Sequence, residues 1–400
     1  MSGPRGGPRL EPATRVGGAG LLALLVTYGV GRQAFGLFVP AFQDEFGLSL
    51  ATLGFVASAA QAAYLAVIVA TGLLAARLGA RVPVVAGCVV LSMGAALVAG
   101  APGPVALAVG VTLAGASAGG TWAPFADAVS LQVPEASQPR ALSLVNTGAP
   151  FGSVVASVGV LVVDDDWRIA WVLFAALGVV AAVVNLRVLA TSTSRTVRRR
   201  PRPSWRWFLT PRSVRLFVVT LGAALASSAY FTFVPAVIAS AGQPSWTGPA
   251  MWALLGLVGG GVGVFAGDLA TRVGLRRTLA ASWMAMAAAF GVLVAGPGSA
   301  VVGLGSATLF GVGFTVGYGQ IVVWSQRVFW DRPTTGFTTT ILFSATGFVV
   351  GPALFGVLAV GAGRSVALLL AAIPAVVAAA VPPAPRYRRP LWRRRPPAAP

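Results

Sequence analysis

Long apolar runs, each closed by a short polar or Gly/Pro-containing stretch, recur along this chain at approximately Ala19–Phe42, Ala51–Ala75, Pro83–Ala101, Pro104–Leu131, Ala141–Val163, Arg168–Ala190, Ser213–Ser240, Thr247–Ala270, Leu275–Gly296, Ala300–Gln326, Thr335–Val360 and Arg364–Val381. About 20 apolar residues suffice for a helix to cross a bilayer. The pattern therefore predicts an all-α polytopic membrane protein of twelve transmembrane helices. Glycine and proline inside the runs are compatible with this, because neighbouring helices satisfy the backbone groups they free. The same pattern divides the chain into a Gly/Pro-rich disordered tail over 1–18, six spans over 19–190, a basic linker over 191–212, six more spans over 213–383 and a basic Pro-rich tail over 384–400. Arg5 to Val30 imitates a signal peptide, but the apolar run continues past Arg32 and no small-residue cleavage site follows, so it reads as the first span.

Composition agrees: 56% of residues are hydrophobic and 10% charged, which excludes a soluble domain. The net charge is +19, and every basic residue is arginine. With both termini cytoplasmic, all arginines except Arg32, Arg168 and Arg364 fall on the cytoplasmic side, as the positive-inside rule requires. Asp44, Glu45 and Asp164 to Asp166 fall on the other side. That predicts a multi-pass protein of the cell (inner) membrane. The basic runs Arg195–Trp207 and RYRRPLWRRRPP read as topology signals in contact with anionic headgroups rather than nucleic-acid sites. Cys88 lies in an apolar run and reads as filler. Without histidine, and with Asp164 to Asp166 a hydrated turn, no set of groups suits catalysis, a metal or a cofactor.

The two halves repeat. The stretch from Gly36 to Arg81 aligns without a gap on that from Phe231 to Arg276, an offset of 195: Phe38-Val39-Pro40-Ala41 meets Phe233-Val234-Pro235-Ala236, and Gly72, Arg77, Gly79 and Arg81 meet Gly267, Arg272, Gly274 and Arg276. At an offset of 199, Pro134 meets Pro333, and Thr147-Gly148 and Gly152 meet Thr346-Gly347 and Gly351. Duplicated six-span halves are the arrangement of many secondary transporters.

On these residues the chain resembles the major facilitator superfamily over nearly its whole length. GLLAARLGAR, Gly72 to Arg81, and GDLATRVGLRR, Gly267 to Arg277, resemble the family's G-x-x-x-D-R-x-G-R-R loop motif, with Ala76 and Thr271 in place of its aspartate. The resemblance implies two pseudo-symmetric six-helix bundles, alternating access and a cytoplasmic gate at Gly72, Arg77, Gly79, Arg81, Gly267, Arg272, Gly274 and Arg276. Asp127 stands where the family often has an acidic partner for these arginines, so a pair with Arg77 or Arg81 is expected, the other reading being a solvated carboxylate. Val111 replaces the arginine of the span-four motif. NTGAPFG, Asn146 to Gly152, partly resembles an antiporter motif, or reflects close helix packing. GVGRQAFG resembles the first span of a bacterial branch in which a Gly-Arg pair is common.

Arg32 is the candidate for chemistry. It lies roughly nine residues, ~13 Å, from the outer end of the first span, and an arginine at the centre of a span costs at least ~2.5–3.5 kcal/mol. Its aligned residue is Ser227, so repeat symmetry does not demand a charge there. Helical spacing places Tyr28, Phe35 and Val39 on the face of Arg32. In the family the first, fourth, seventh and tenth spans line the cavity, which makes Trp122, Tyr230, Tyr318 and Gln320 candidate partners. A guanidinium beside a hydroxyl and an aromatic wall suits a carboxylate or phosphate with an apolar body. The alternative is a bond to backbone carbonyls near Gly29, Gly31 and Gly36. Asp127 alone could carry a proton near the cavity, which argues against a proton-coupled multidrug antiporter. The expectation is a monomeric carrier of a small organic anion held by Arg32, with efflux of neutral or cationic amphipathic compounds as the alternative.

Overall fold

The computed structural model describes residues 11–163, 166–191 and 208–383. Its helices, in chain order, are α1 (Pro12–Phe46), α2 (Leu50–Leu78), α3 (Arg81–Ala99), α4 (Pro104–Gln132), α5 (Gln138–Val163), α6 (Trp167–Val188), α7 (Pro211–Ser240), α8 (Thr247–Val273), α9 (Leu275–Ala295), α10 (Ala300–Val328), α11 (Pro333–Ala362) and α12 (Arg364–Ala380). Among the described residues ten of these are long and apolar enough to cross a membrane. Helix α1 begins at Pro12 and buries Val16, so residues 12–18 extend the first helix where a tail was expected. Residues 1–10, Asp164, Asp165, most of the basic linker (192–207) and the tail from 384 lie outside the described residues.

Packing repeats as the sequence does. In the first half α1 packs on α5 and α6, α2 on α4, and α3 on α4 and α6; in the second, α7 packs on α11 and α12, α8 on α10, and α9 on α10 and α12. Gly47 and Gly79 take positive φ (62° each) at the ends of α1 and α2, and their partners at the same offset, Gly242 (73°) and Gly274 (92°), do so after α7 and α8. Left-handed backbone is where glycine has no Cβ penalty, so these turns explain two pairs of repeated glycines.

Small residues bring helices together. Gly148 and Gly152 of α5 meet the carbonyls of Leu21 and Leu25 on α1, and Gly347 and Gly351 of α11 meet those of Leu221 and Leu225 on α7. NTGAPFG thus serves close helix packing here. Cys88 is completely buried. At the end opposite the termini, Arg168 donates to Glu45 (2.5 Å), Ala99 O (2.7 Å) and Ala101 O (3.0 Å), while Trp167 donates to Glu45 (2.7 Å). This ties α1, α6 and the α3–α4 loop.

The halves meet along three lines: α1 on α7, α2 on α11 and α5 on α8. Gly36 approaches Phe231 O, Gly54 approaches Pro352 O, and an added Cβ on Gly356 would lie 2.7 Å from Leu50 O. Ala353 N also donates to Ser58 Oγ at 3.0 Å. These contacts close the half of the molecule remote from the termini.

Candidate functional site

Between the halves lies a cavity of about 1170 Å³. Its wall runs from Phe35, Gly36 and Pro352 near the closed seam to Thr71, Gly72, Gly79, Ala80, Asp127 and Leu131 at helix ends on the terminal side. The molecule is therefore closed on one side and open on the side of its termini.

Arg32 is on this wall, partly buried. The backbone from Leu25 to Arg32 is wound as a π-helix, and α-helix resumes at Phe35. Such segments are uncommon and concentrate at functional sites. The wider winding changes the face that each residue presents relative to α7, which is α-helical throughout. Ser227, the aligned residue, is completely buried and bonds to Ala223 O (2.7 Å) inside its own bundle, away from the cavity.

Arg32 is held by side chains, not by the peptide carbonyls considered from the sequence. Its Nε donates to Gln61 Oε1 on α2 at 3.0 Å. Its Cζ lies 4.3 Å from the ring centroid of Tyr64, 4.9 Å from Phe348 and 5.9 Å from Tyr28. Tyr28 and Tyr64 join hydroxyls at 3.1 Å with their rings edge-on. The Nη atoms have no protein acceptor among the described residues. A guanidinium held through Nε with its Nη edge on a cavity can receive a carboxylate in its own plane. Phe348 belongs to α11, so the cation touches both halves.

The other expected residues divide. Tyr28, Phe35, Trp122 and Tyr318 line the cavity; Trp122 donates to Asn146 at 2.9 Å, and its ring faces Phe337 across the open end at 6.1 Å. Tyr230 and Gln320 do not reach it. Tyr230 is completely buried, stacked on Phe310 at 3.8 Å and bonded to Ser306 at 2.9 Å, and Gln320 is 1% exposed within its bundle. Val39 is likewise buried off the wall. Both misplaced polar residues lie on helices that supply other cavity residues, so the helix assignment holds and their rotation differs.

At the expected gate, Gly72, Gly79 and Asp127 line the open end, and Arg272 and Arg276 are exposed. An added Cβ on Gly72 would meet nothing within 4 Å, so in this conformation space does not require glycine there. Arg81 makes no ion pair with Asp127 among the described residues. The side chain of Arg77 and the surroundings of Gly267 lie outside what the structure describes. No group of three or more metal-ligating side chains comes together among the described residues.

Gln61, Tyr64 and Phe348 were not anticipated from the sequence. A signal for two of them was present. Gln61 and Tyr64 are three apart on one helical face, and at the offset of 195 they meet Gly256 and Gly259, a departure from the repeat like that of Arg32.

Known proteins show the same architecture. A bacterial homologue of the human lysosomal transporter Spinster, in an inward-facing and unoccupied conformation, superposes with a TM-score of 0.78 at 14% identity, covering 94% of this chain and 97% of that one. The nucleoside transporter NupG superposes with a TM-score of 0.75 at 14% identity, covering 92% of this chain and 98% of that one. A hexuronate transporter of Bacillus subtilis (strain 168) is 26% identical over 182 residues, spanning 45% of this chain and 43% of that protein. The Major Facilitator Superfamily model matches residues 21–346. The duplicated bundles, the cavity between them and this match together place the chain in the Major Facilitator Superfamily, as a multi-pass membrane transporter.

Proposed function

We propose that the protein carries a small organic anion across the cytoplasmic membrane by alternating access, gripping it at Arg32. One observation carries this reading: a guanidinium midway along α1, anchored through Nε to Gln61, whose Nη atoms have no protein acceptor among the described residues and sit on the wall of the cavity between the halves. The cost of placing arginine within a span makes structural filler a poor explanation when packing does not consume its hydrogen bonds. The partial match to a hexuronate transporter supports an organic anion as cargo.

The distribution of arginines supports a cytoplasmic terminal side, with the open cavity facing the cell interior in this reading. Rocking of the bundles would open the α1–α7 and α2–α11 contacts and close the terminal side. Phe348 would then leave Arg32. Asp127, near the open end, is the candidate acid for proton coupling.

The test is transport of a labelled panel of acids, amines and neutral compounds into proteoliposomes carrying parent, Arg32→Gln or Arg32→Lys protein. Selective loss of the acids with correctly folded protein supports the reading. Unchanged acid transport ends it. Transport confined to amines or neutral compounds would favour efflux of amphipathic compounds instead.

A further inference from the structure

The surroundings of Arg32 are more selective than attraction for an anion requires. Arg32 and Asp127 are the charged residues on the cavity wall among those described, and Asp127 lies toward the open end. With Nε engaged by Gln61, the guanidinium offers a single Nη edge, which matches one carboxylate. A dianion would bring a second charge to a wall with no second cation described on it, and an unpaired charge away from water is costly.

Three hydroxyls of the wall are already committed, and its side-chain amides are unevenly placed. Thr220 donates to Leu216 O, Ser228 to Leu225 O and Thr340 to Gly336 O, each at 2.8 Å. Those hydroxyls have no proton left for the oxygen atoms of a sugar. The side-chain amides on the wall, Gln33, Gln61 and Asn146, all belong to the N-terminal half. On the C-terminal half the positions equivalent to Gln61 and Tyr64 are Gly256 and Gly259, both on the wall, and the same half supplies a group of rings to it. Phe231 meets Phe314 at 5.2 Å edge to face, Phe314 meets Tyr318 at 4.7 Å, and Phe348 lies 4.9 Å from Arg32. The N-terminal half thus carries the amides of the clamp, and the C-terminal half carries this group of rings among its serines and threonines.

We infer that the preferred substrate is a monocarboxylate with a flat apolar body, an aryl or arylalkanoic acid, its carboxylate on the Nη edge of Arg32 and its ring against Phe231, Phe314 and Phe348. The inference rests on the anion reading above and sharpens it. A ring gains edge-to-face contacts on this wall and gives up no hydrogen bonds with water. A hydroxylated acid gives up several, and Thr220, Ser228 and Thr340 have no proton to return, so groups left unpaired away from water weaken its binding. By this argument the cargo differs from that named for the partly matching hexuronate transporter.

The experiment is isothermal titration calorimetry of the full-length protein in nanodiscs with phenylacetate, glucuronate and phthalate, on the parent and on Arg32→Gln, Arg32→Lys, Phe314→Leu and Phe231→Leu, with thermal unfolding as the check on folding. Phenylacetate should bind roughly ten-fold or more tighter than either other acid, and Arg32→Gln should abolish it. Phe314→Leu should weaken phenylacetate by about three- to ten-fold and leave glucuronate unchanged; Phe231→Leu serves if that variant does not fold. Arg32-dependent binding of glucuronate or phthalate at equal or higher affinity overturns this inference and leaves the anion reading standing. Phenylacetate binding indifferent to Arg32→Gln, or no binding of any of the three, overturns both.

Discussion

Replacing Gly356 by alanine tests whether the closed seam sets the resting conformation. Gly356 lies on α11 against α2, where its new Cβ would be 2.7 Å from Leu50 O and 3.1 Å from Ala51 Cα. Carbon and carbonyl oxygen normally meet at about 3.3 Å or more, so the helices must part by roughly 0.6 Å. The neighbour is backbone and cannot swing aside. Overpacking of this kind costs about 1–3 kcal/mol, but only in the conformation that closes this seam. The gain of about 1 kcal/mol in helix propensity on exchanging glycine for alanine applies to both conformations and cancels. The balance should therefore move about 5- to 150-fold toward the state open on the side away from the termini.

Val237, 6% exposed in the small cleft beside Leu50 and Phe355, is a suitable reporter position. In a Cys88→Ala, Val237→Cys background, a membrane-impermeant maleimide added from that side should label the Gly356→Ala protein faster by the same factor. Gly36→Ala, whose Cβ would overlap Phe231 O outright, should shift further. Gly72→Ala, with nothing within 4 Å, should leave labelling unchanged. Labelling of folded Gly356→Ala at the parent rate would refute the argument that these glycines hold the seam closed.

Other consequences follow from single contacts. Gln61→Leu removes the acceptor of Arg32 Nε and should raise the KM for a transported acid about ten-fold with a smaller effect on maximal rate, measured by uptake into proteoliposomes. Arg168→Gln breaks three hydrogen bonds tying α1, α6 and the α3–α4 loop. Because Arg168 and Glu45 have side chains 34% and 40% exposed, the loss should be only about 1–2 kcal/mol, read as a lower Tm in detergent, with Glu45→Gln adding little in the double variant. Gly29→Ala sets a Cβ into the backbone of Gly152 and should destabilise the N-terminal half by about 1–3 kcal/mol, visible as reduced yield of folded protein on size-exclusion chromatography.

Much of the architecture is legible in one dimension because its causes are local. Run length marks a span, and Gly79 and Gly274 mark turns whose backbone needs φ > 0. Arg32 stood out because a charge within an apolar run is expensive wherever it faces. The failures concern facing. Tyr230 and Gln320 were chosen as polar groups on helices expected to line the cavity, yet both point into their own bundle. A soluble helix shows its buried side by amphipathic periodicity. A helix in lipid is apolar on its outer side as well, so periodicity carries little information on rotation.

From the sequence alone came the twelve-span plan, the duplication and the one cation that needs a reason. Tertiary structure decided the company that cation keeps: the π-wound turn that carries it, Gln61 and Tyr64 from α2 and Phe348 from the opposite half. Those residues are brought together by helix rotation and by the rocking angle between bundles, and both depend on backbone contacts at glycines such as Gly36, Gly54 and Gly356. Such contacts join residues far apart in the chain and leave no periodic mark on it.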